Sequence, residues 1–260
     1  MLVASWLAFG AALAPIASQY IRPMSGALGK VSWSFTLSGA VVLGILLAVA
    51  AALGTHGVIA AHPKARSGNL SHTAHYWAAP AVMAASAVAH ISVLRAPEAL
   101  AVSVVGFGIL AAVLLSLEFV TVDGAWRGYG RARWALSLLD YLVALAAFVA
   151  AIGAGISTGL CAALCGVAAA LVAVDLLRLP DCTPDVVGLY VPAVGVIIGL
   201  AAQRILTWNT QPIRAALILL LLFYVLTGLL QQHLRRRVSW WVRVEYFALL
   251  ALGTWALLRF

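Results

Sequence analysis

Nine apolar runs, each close to the length of a membrane crossing, leave this chain few ways to fold. They cover residues 2–18, 35–54, 75–94, 100–120, 134–156, 160–177, 186–206, 215–230 and 244–258. A helix needs about 20 mostly apolar residues to cross the hydrocarbon layer. Inside that layer every backbone N–H and C=O must be bonded within the protein, so each run is expected to be a helix. The first, eighth and ninth are short for a crossing, and flanking residues, tilted neighbours or local thinning would have to supply the difference. Apolar residues make up 64% of the 260 and charged ones 9%, against about 45–50% and about 25% in soluble domains. Water cannot solvate that much apolar surface, whereas lipid can. The expected fold class is all-α, a polytopic integral membrane helix bundle of about nine transmembrane helices.

The tryptophans mark the same boundaries. Trp6, Trp33, Trp77, Trp134, Trp208, Trp240, Trp241 and Trp255 lie near run ends, where amphipathic indoles favour the head-group layer. Orientation follows from Lys and Arg. Of the 16, ten fall on the side of the N-terminus, including Arg127, Arg131, Arg133, Arg178, Arg235, Arg236, Arg237 and Arg243. The positive-inside rule makes that side cytoplasmic and puts the C-terminus outside, in what is expected to be a prokaryotic cytoplasmic membrane. No Lys or Arg precedes the run 2–18, and Pro15 directly follows its A-x-A-like triplet. The run is therefore expected to be a retained span and not a cleaved signal. The long polar connection 55–74 sets off the first two runs. The expected organisation is one transmembrane domain, with residues 1–54 as a two-helix addition to a seven-helix core at 75–260.

The net charge of +8 is spread between apolar runs and forms no basic domain. Its expected partner is the bilayer with its anionic lipids, together with other membrane protein subunits, and not nucleic acid. Charges inside a helix bundle are costly and need a reason. Asp140 sits six residues into the fifth run, about 9 Å below its start. Asp175 nears the end of the sixth run, Glu118 ends the fourth and Glu245 opens the ninth, all on the cytoplasmic side. Arg133 and Arg178 share that zone. Asp175 and Arg178 are spaced i,i+3, which pairs on a helix face. Arg133 and Asp140 are two turns apart on one face, within reach of a snorkelling arginine. The group reads either as a proton or cation path with Asp140 deepest, or as a layer of ion pairs holding helices in register. The second reading is preferred, because the acids lie near an interface and not at mid-membrane.

His56, His62, His72 and His75 lie in or beside the 55–74 connection, and His90 is the one imidazole in the interior of a run. His72, His75 and His90 are weak candidates for holding a cofactor. Their spacing matches no zinc signature, so no metal site is assigned and no cofactor is identifiable. Three cysteines, Cys161, Cys165 and Cys182, give no disulfide framework and read as small buried residues. Gly195 and Gly199 form a G-x-x-x-G that lets two helices approach closely, and Pro80 and Pro192 are expected to kink their helices. A retinal Schiff base needs a lysine in the last helix, and the lysines are Lys30 and Lys64. H-E-x-x-H, P-loop and aspartate-rich diphosphate motifs are absent. No catalytic residue is assigned.

From about His75 onward, HYWAAPAVMAAS and then TWNTQPIRAALILLLLFYVLTGLLQQHLRRRVSWWVRVEYFALLALG, residues 207–253, resemble a family of uncharacterised prokaryotic polytopic membrane proteins, a domain of unknown function. The resemblance leaves the first two runs outside and implies no activity and no site residues. The expected function is that of an accessory or scaffolding subunit of a membrane assembly. The alternatives are a small-solute or proton-coupled transporter using Asp140, and a membrane-embedded enzyme with a site on the cytoplasmic side.

Overall fold

The computed structural model describes residues 2–28, 31–63, 75–124, 126–178, 184–208, 210–234 and 240–259. At 2, 21–38, 184–187, 242, 243 and 258 it describes the backbone alone. Lys30, Lys64, Arg66, His72, Cys182 and Arg235–Arg237 lie outside the described residues. The chain forms two compact units, Met1–Val122 and Asp123–Phe260.

The first unit opens with α1 (Leu2–Ala12) and a single turn, α2 (Ala14–Ala17). A β-hairpin follows, β1 (Ile21–Leu28) against β2 (Val31–Ser38), antiparallel with Met24 opposite Phe35 and Gly26 opposite Trp33. This hairpin is one local element in an otherwise helical fold. Val31-Ser-Trp-Ser-Phe-Thr-Leu-Ser38 alternates apolar and polar residues, the period-2 pattern of a strand. The second helix therefore starts at Gly39 and not at Phe35. It is α3 (Gly39–Ala60), followed by α4 (Ala78–Ile91) and α5 (Pro97–Thr121). The start of α5 is built for a helix: Pro97 stands where an N–H has no partner in any case, and Glu98 meets the positive end of the dipole.

The short α4 is the buried element of this unit. Its residues 78–84, 86–88 and 91 are all buried, and Val88 and Ile91 pack with Ala11, Ala14 and Ala40. Pro80 lies in its first turn, where proline costs no hydrogen bond, so the expected kink has no cause there.

The second unit holds α6 (Tyr129–Gly153), α7 (Thr158–Leu176), α8 (Pro184–Leu206), α9 (Pro212–Leu234) and α10 (Trp240–Arg259). The α6–α7 connection turns at Gly155, whose φ of 64° is left-handed. An L side chain there costs about 1–2 kcal/mol. Gly155→Ala is thus expected to lower unfolding free energy in detergent by about that amount, as read by chemical denaturation. Where α7 crosses α8 the backbones nearly touch. A Cβ on Gly166 would lie 2.6 Å from the Gly195 carbonyl oxygen, and one on Gly199 3.2 Å from that of Ala162. The G-x-x-x-G in α8 is therefore a close-approach surface, and its counterpart is Gly166 with Ala162 on α7.

Among the described residues six helices are long and apolar enough to cross a membrane: α3, α5, α6, α7, α8 from Gly188, and α9. Shorter apolar stretches occupy Val3–Ala12, Ala78–Ile91 and Val244–Leu257. Six full-length helices and three shorter ones among the described residues leave the expected count of nine crossings unconfirmed. The eighth run, expected to be short, spans 23 residues as α9, whereas the third, expected to cross, is the 14-residue α4. Large apolar side chains point outward. Val102 on α5 and Leu189 on α8 are each more than 70% exposed. Every tryptophan with a described side chain is also exposed, Trp77 least. Alanine, glycine and cysteine fill much of the interior, as expected of helices that lipid solvates and that pack through small residues. The protein is membrane-embedded.

Candidate functional site: a buried charged clamp at the end of α7

The last carbonyls of any helix lack intrahelical donors. α7 ends at Leu176, inside the second unit, so those carbonyls need partners from elsewhere. Two neighbouring helices supply them. Arg133, in the second turn of α6, reaches across to Asp175. Its Nη1 lies 3.2 Å from Asp175 Oδ1. Its Nη2 donates to the Asp175 carbonyl and makes long contacts of 3.5 Å with the carbonyls of Leu176 and Arg178. From α9, Gln231 Nε2 donates to the Leu176 carbonyl at 2.8 Å. The negative end of the α7 dipole also favours a cation at this place.

Asp175 is the centre of the cluster. It is fully buried, and Arg178 Nη1 lies 3.5 Å from the same Oδ1 that meets Arg133. The i,i+3 pair read from the sequence is present. Arg133 engages Asp175, 42 residues away, through the antiparallel pairing of α6 and α7. Asp140, two turns further along α6, is fully buried as expected. Its side chain is close enough to act on the Asp175 carboxyl. Arg133, Asp140, Asp175 and Arg178 thus form one group.

Next to it stands a set of polar and aromatic residues that sequence reading passed over. The Tyr141 and Thr227 hydroxyls are 3.0 Å apart, and Thr227 also donates to the Phe223 carbonyl one turn back. The Tyr141 ring packs edge-on against Phe223 and Tyr224. Tyr246 of α10 occupies the notch left by Gly228, where a Cβ would lie 2.6 Å from the Tyr246 ring. A Thr-Gly pair inside the leucine-rich run 215–230 was the available signal. Gln231, at the end of that run, carried none.

The remaining candidates lie elsewhere. Glu118 is fully buried in the first unit. Glu245 on α10 is exposed. His75 is half-buried in the turn before α4, and His90 is exposed on the last turn of α4, its ring edge-on to Phe107 at 6.0 Å. His56 is exposed, and His62 meets Phe119 edge-on at 4.6 Å. Among the described residues no three of His, Cys, Asp and Glu gather as metal ligands. Cys161 and Cys165 are free and buried, with the Cys161 thiol 3.4 Å from the Ala151 carbonyl.

A family model described as Protein of unknown function (DUF5656) matches residues 24–260. The match begins well upstream of His75 and takes in the second apolar run. No curated protein and no solved structure matches the chain.

Proposed function

The chain belongs to the family described as Protein of unknown function (DUF5656), and from that premise we propose that this integral membrane protein is an accessory or scaffolding subunit of a membrane assembly. One observation carries the reading. The contacts of Arg133 go to the Asp175 side chain and to the terminal carbonyls of α7, which is the work of a helix clamp. Its partners are the bilayer, including anionic lipids, and other membrane proteins packed on exposed apolar faces. A scaffold is expected to co-purify with such proteins in mild detergent and to catalyse no flux when reconstituted alone. Proton or solute flux in liposomes that Asp140→Asn abolishes would replace this reading with that of a carrier. The side-by-side burial of Asp140 and Asp175 is what favours the carrier.

The excess of basic residues supports a cytoplasmic position for the connection between α9 and α10, in what we read as a prokaryotic cytoplasmic membrane. A cysteine introduced at His233 is then expected to resist membrane-impermeant reagents applied from outside, and one at Phe260 to react. Labelling of the His233 position from outside would reverse the orientation.

A further inference from the structure

We infer that the β1–β2 hairpin is a membrane-surface element, lying on the bilayer with one face set into a layer of anionic head groups. The register sorts its residues. Met24 pairs with Phe35, Gly26 with Trp33 and Leu28 with Val31, and in a pleated pair positions two apart share a face. That face is apolar. The opposite face holds the pairs Pro23–Thr36, Ser25–Ser34 and Ala27–Ser32, which are small or polar. A two-stranded hairpin alone is marginal in water. Beyond its junction with α3, no other described element packs broadly on this one.

The place of attachment selects the occupant. β2 runs directly into Gly39, the first residue of α3, whose 22 residues make one crossing of the hydrocarbon layer. The Gly39 N–H donates to the Tyr20 carbonyl at 2.6 Å, and a Cβ on Gly39 would collide with the Ala17 carbonyl oxygen. The base of the hairpin is thereby held at the membrane boundary. Its outer edges have no strand partner among the described residues, which bars it from the hydrocarbon and suits the hydrated head-group layer. At about 3.3 Å per residue, an upright strand would carry Trp33 about 20 Å into water. A strand lying flat keeps it at the depth that indoles favour. Arg22 in β1 and Lys30 between the strands are both cationic, and no acid precedes Glu98 in the chain. A second copy of the hairpin would meet like charge, whereas anionic lipid meets opposite charge.

This deepens the proposed partnership with anionic lipids and rests on it, but holds for a scaffold and a carrier alike. The test uses the full chain in liposomes of phosphatidylglycerol and phosphatidylcholine, in a Cys161→Ala, Cys165→Ala, Cys182→Ala background. A nitroxide is attached at Gly26→Cys, on the apolar face, or at Ser25→Cys, on the opposite one. Power-saturation EPR is expected to find the label at position 26 severalfold more accessible to oxygen than to a water-soluble nickel chelate. The label at position 25 is expected to show the reverse. The oxygen preference at position 26 should shrink in pure phosphatidylcholine, and also when Arg22→Gln is combined with Lys30→Gln. Nickel that reaches both positions alike would mean a hairpin standing in water, and would overturn the inference. Shielding of both positions from both reagents would mean a protein cover, and would overturn it too. The same oxygen preference in neutral lipid would overturn the assignment to anionic lipid, while co-purification judges the scaffold reading separately.

Discussion

Arg133→Ala is expected to lower the free energy of unfolding in detergent by about 3–5 kcal/mol, the range for removing one partner of a buried ion pair. Three losses coincide at that residue. Asp175 keeps Arg178 alone, at the longer distance of 3.5 Å. The carbonyl of Asp175 loses its side-chain donor, leaving only Gln231 on the neighbouring Leu176 carbonyl. The end of the α7 dipole loses its nearest cation. Arg133→Lys is expected to fall between wild type and alanine. A lysine ammonium restores charge but cannot fork to a carboxylate and a carbonyl at once. Chemical denaturation followed by circular dichroism reads all three proteins. A cost below about 1 kcal/mol for alanine would reduce the cluster to an ordinary exposed pair.

Gly166→Val is expected to be as damaging, for a different reason. The new Cβ would lie 2.6 Å from the Gly195 carbonyl oxygen. That neighbour is backbone and cannot rotate away, so α7 and α8 must separate along their whole crossing. Overpacking of a well-filled interior costs about 1–3 kcal/mol, and here the lost packing of two helices adds to it. Gly195→Val should behave alike, since its Cβ would meet the Gly166 carbonyl oxygen at 2.8 Å and the Ala170 Cβ at 2.9 Å. Gly188→Ala is the control: nothing lies within 4 Å of that position, and alanine there should be neutral or slightly stabilising. Thermal unfolding in detergent that treats all three alike would refute the close-approach account of this helix pair.

How much of this was legible in the chain depended on the range of the interaction. Helices such as α5 and α6 were read to within a few residues, because one apolar run carries its own signal. The pairing of Asp175 with Arg178 was equally local. The hairpin was missed although its signal was present. The alternation at 31–38 lies against an apolar run that continues to Ala60, and Phe35 and Leu37 were absorbed into that run. The brevity of α4 was hidden because the residues beside it, Tyr76 and Trp77 before and Val93 and Leu94 after, are themselves apolar enough to extend a span. Long-range pairings were not legible. Arg133 was read as within reach of Asp140 on its own helix, and the α6–α7 turn at Gly155 brings Asp175 within 3.2 Å of it. Gln231 reaches Leu176 from 55 residues away, a contact that only the packing of α9 on α7 creates. The glycines at 195 and 199 announced a close approach without naming Gly166 as its other half.

The most direct test of the clamp is a double-mutant cycle of unfolding free energies in detergent on Arg133→Met, Asp175→Asn and the pair together. Each single change strands a partner in the interior, whereas the double change removes both charges at once. If the cluster is there to hold α6 to α7, each single variant loses several kcal/mol and the double variant loses less than the two together, with a coupling of at least about 1 kcal/mol. Costs that simply add, to within about 0.3–0.5 kcal/mol, would mean that Arg133 and Asp175 do not stabilise the fold through each other, and would contradict the clamp.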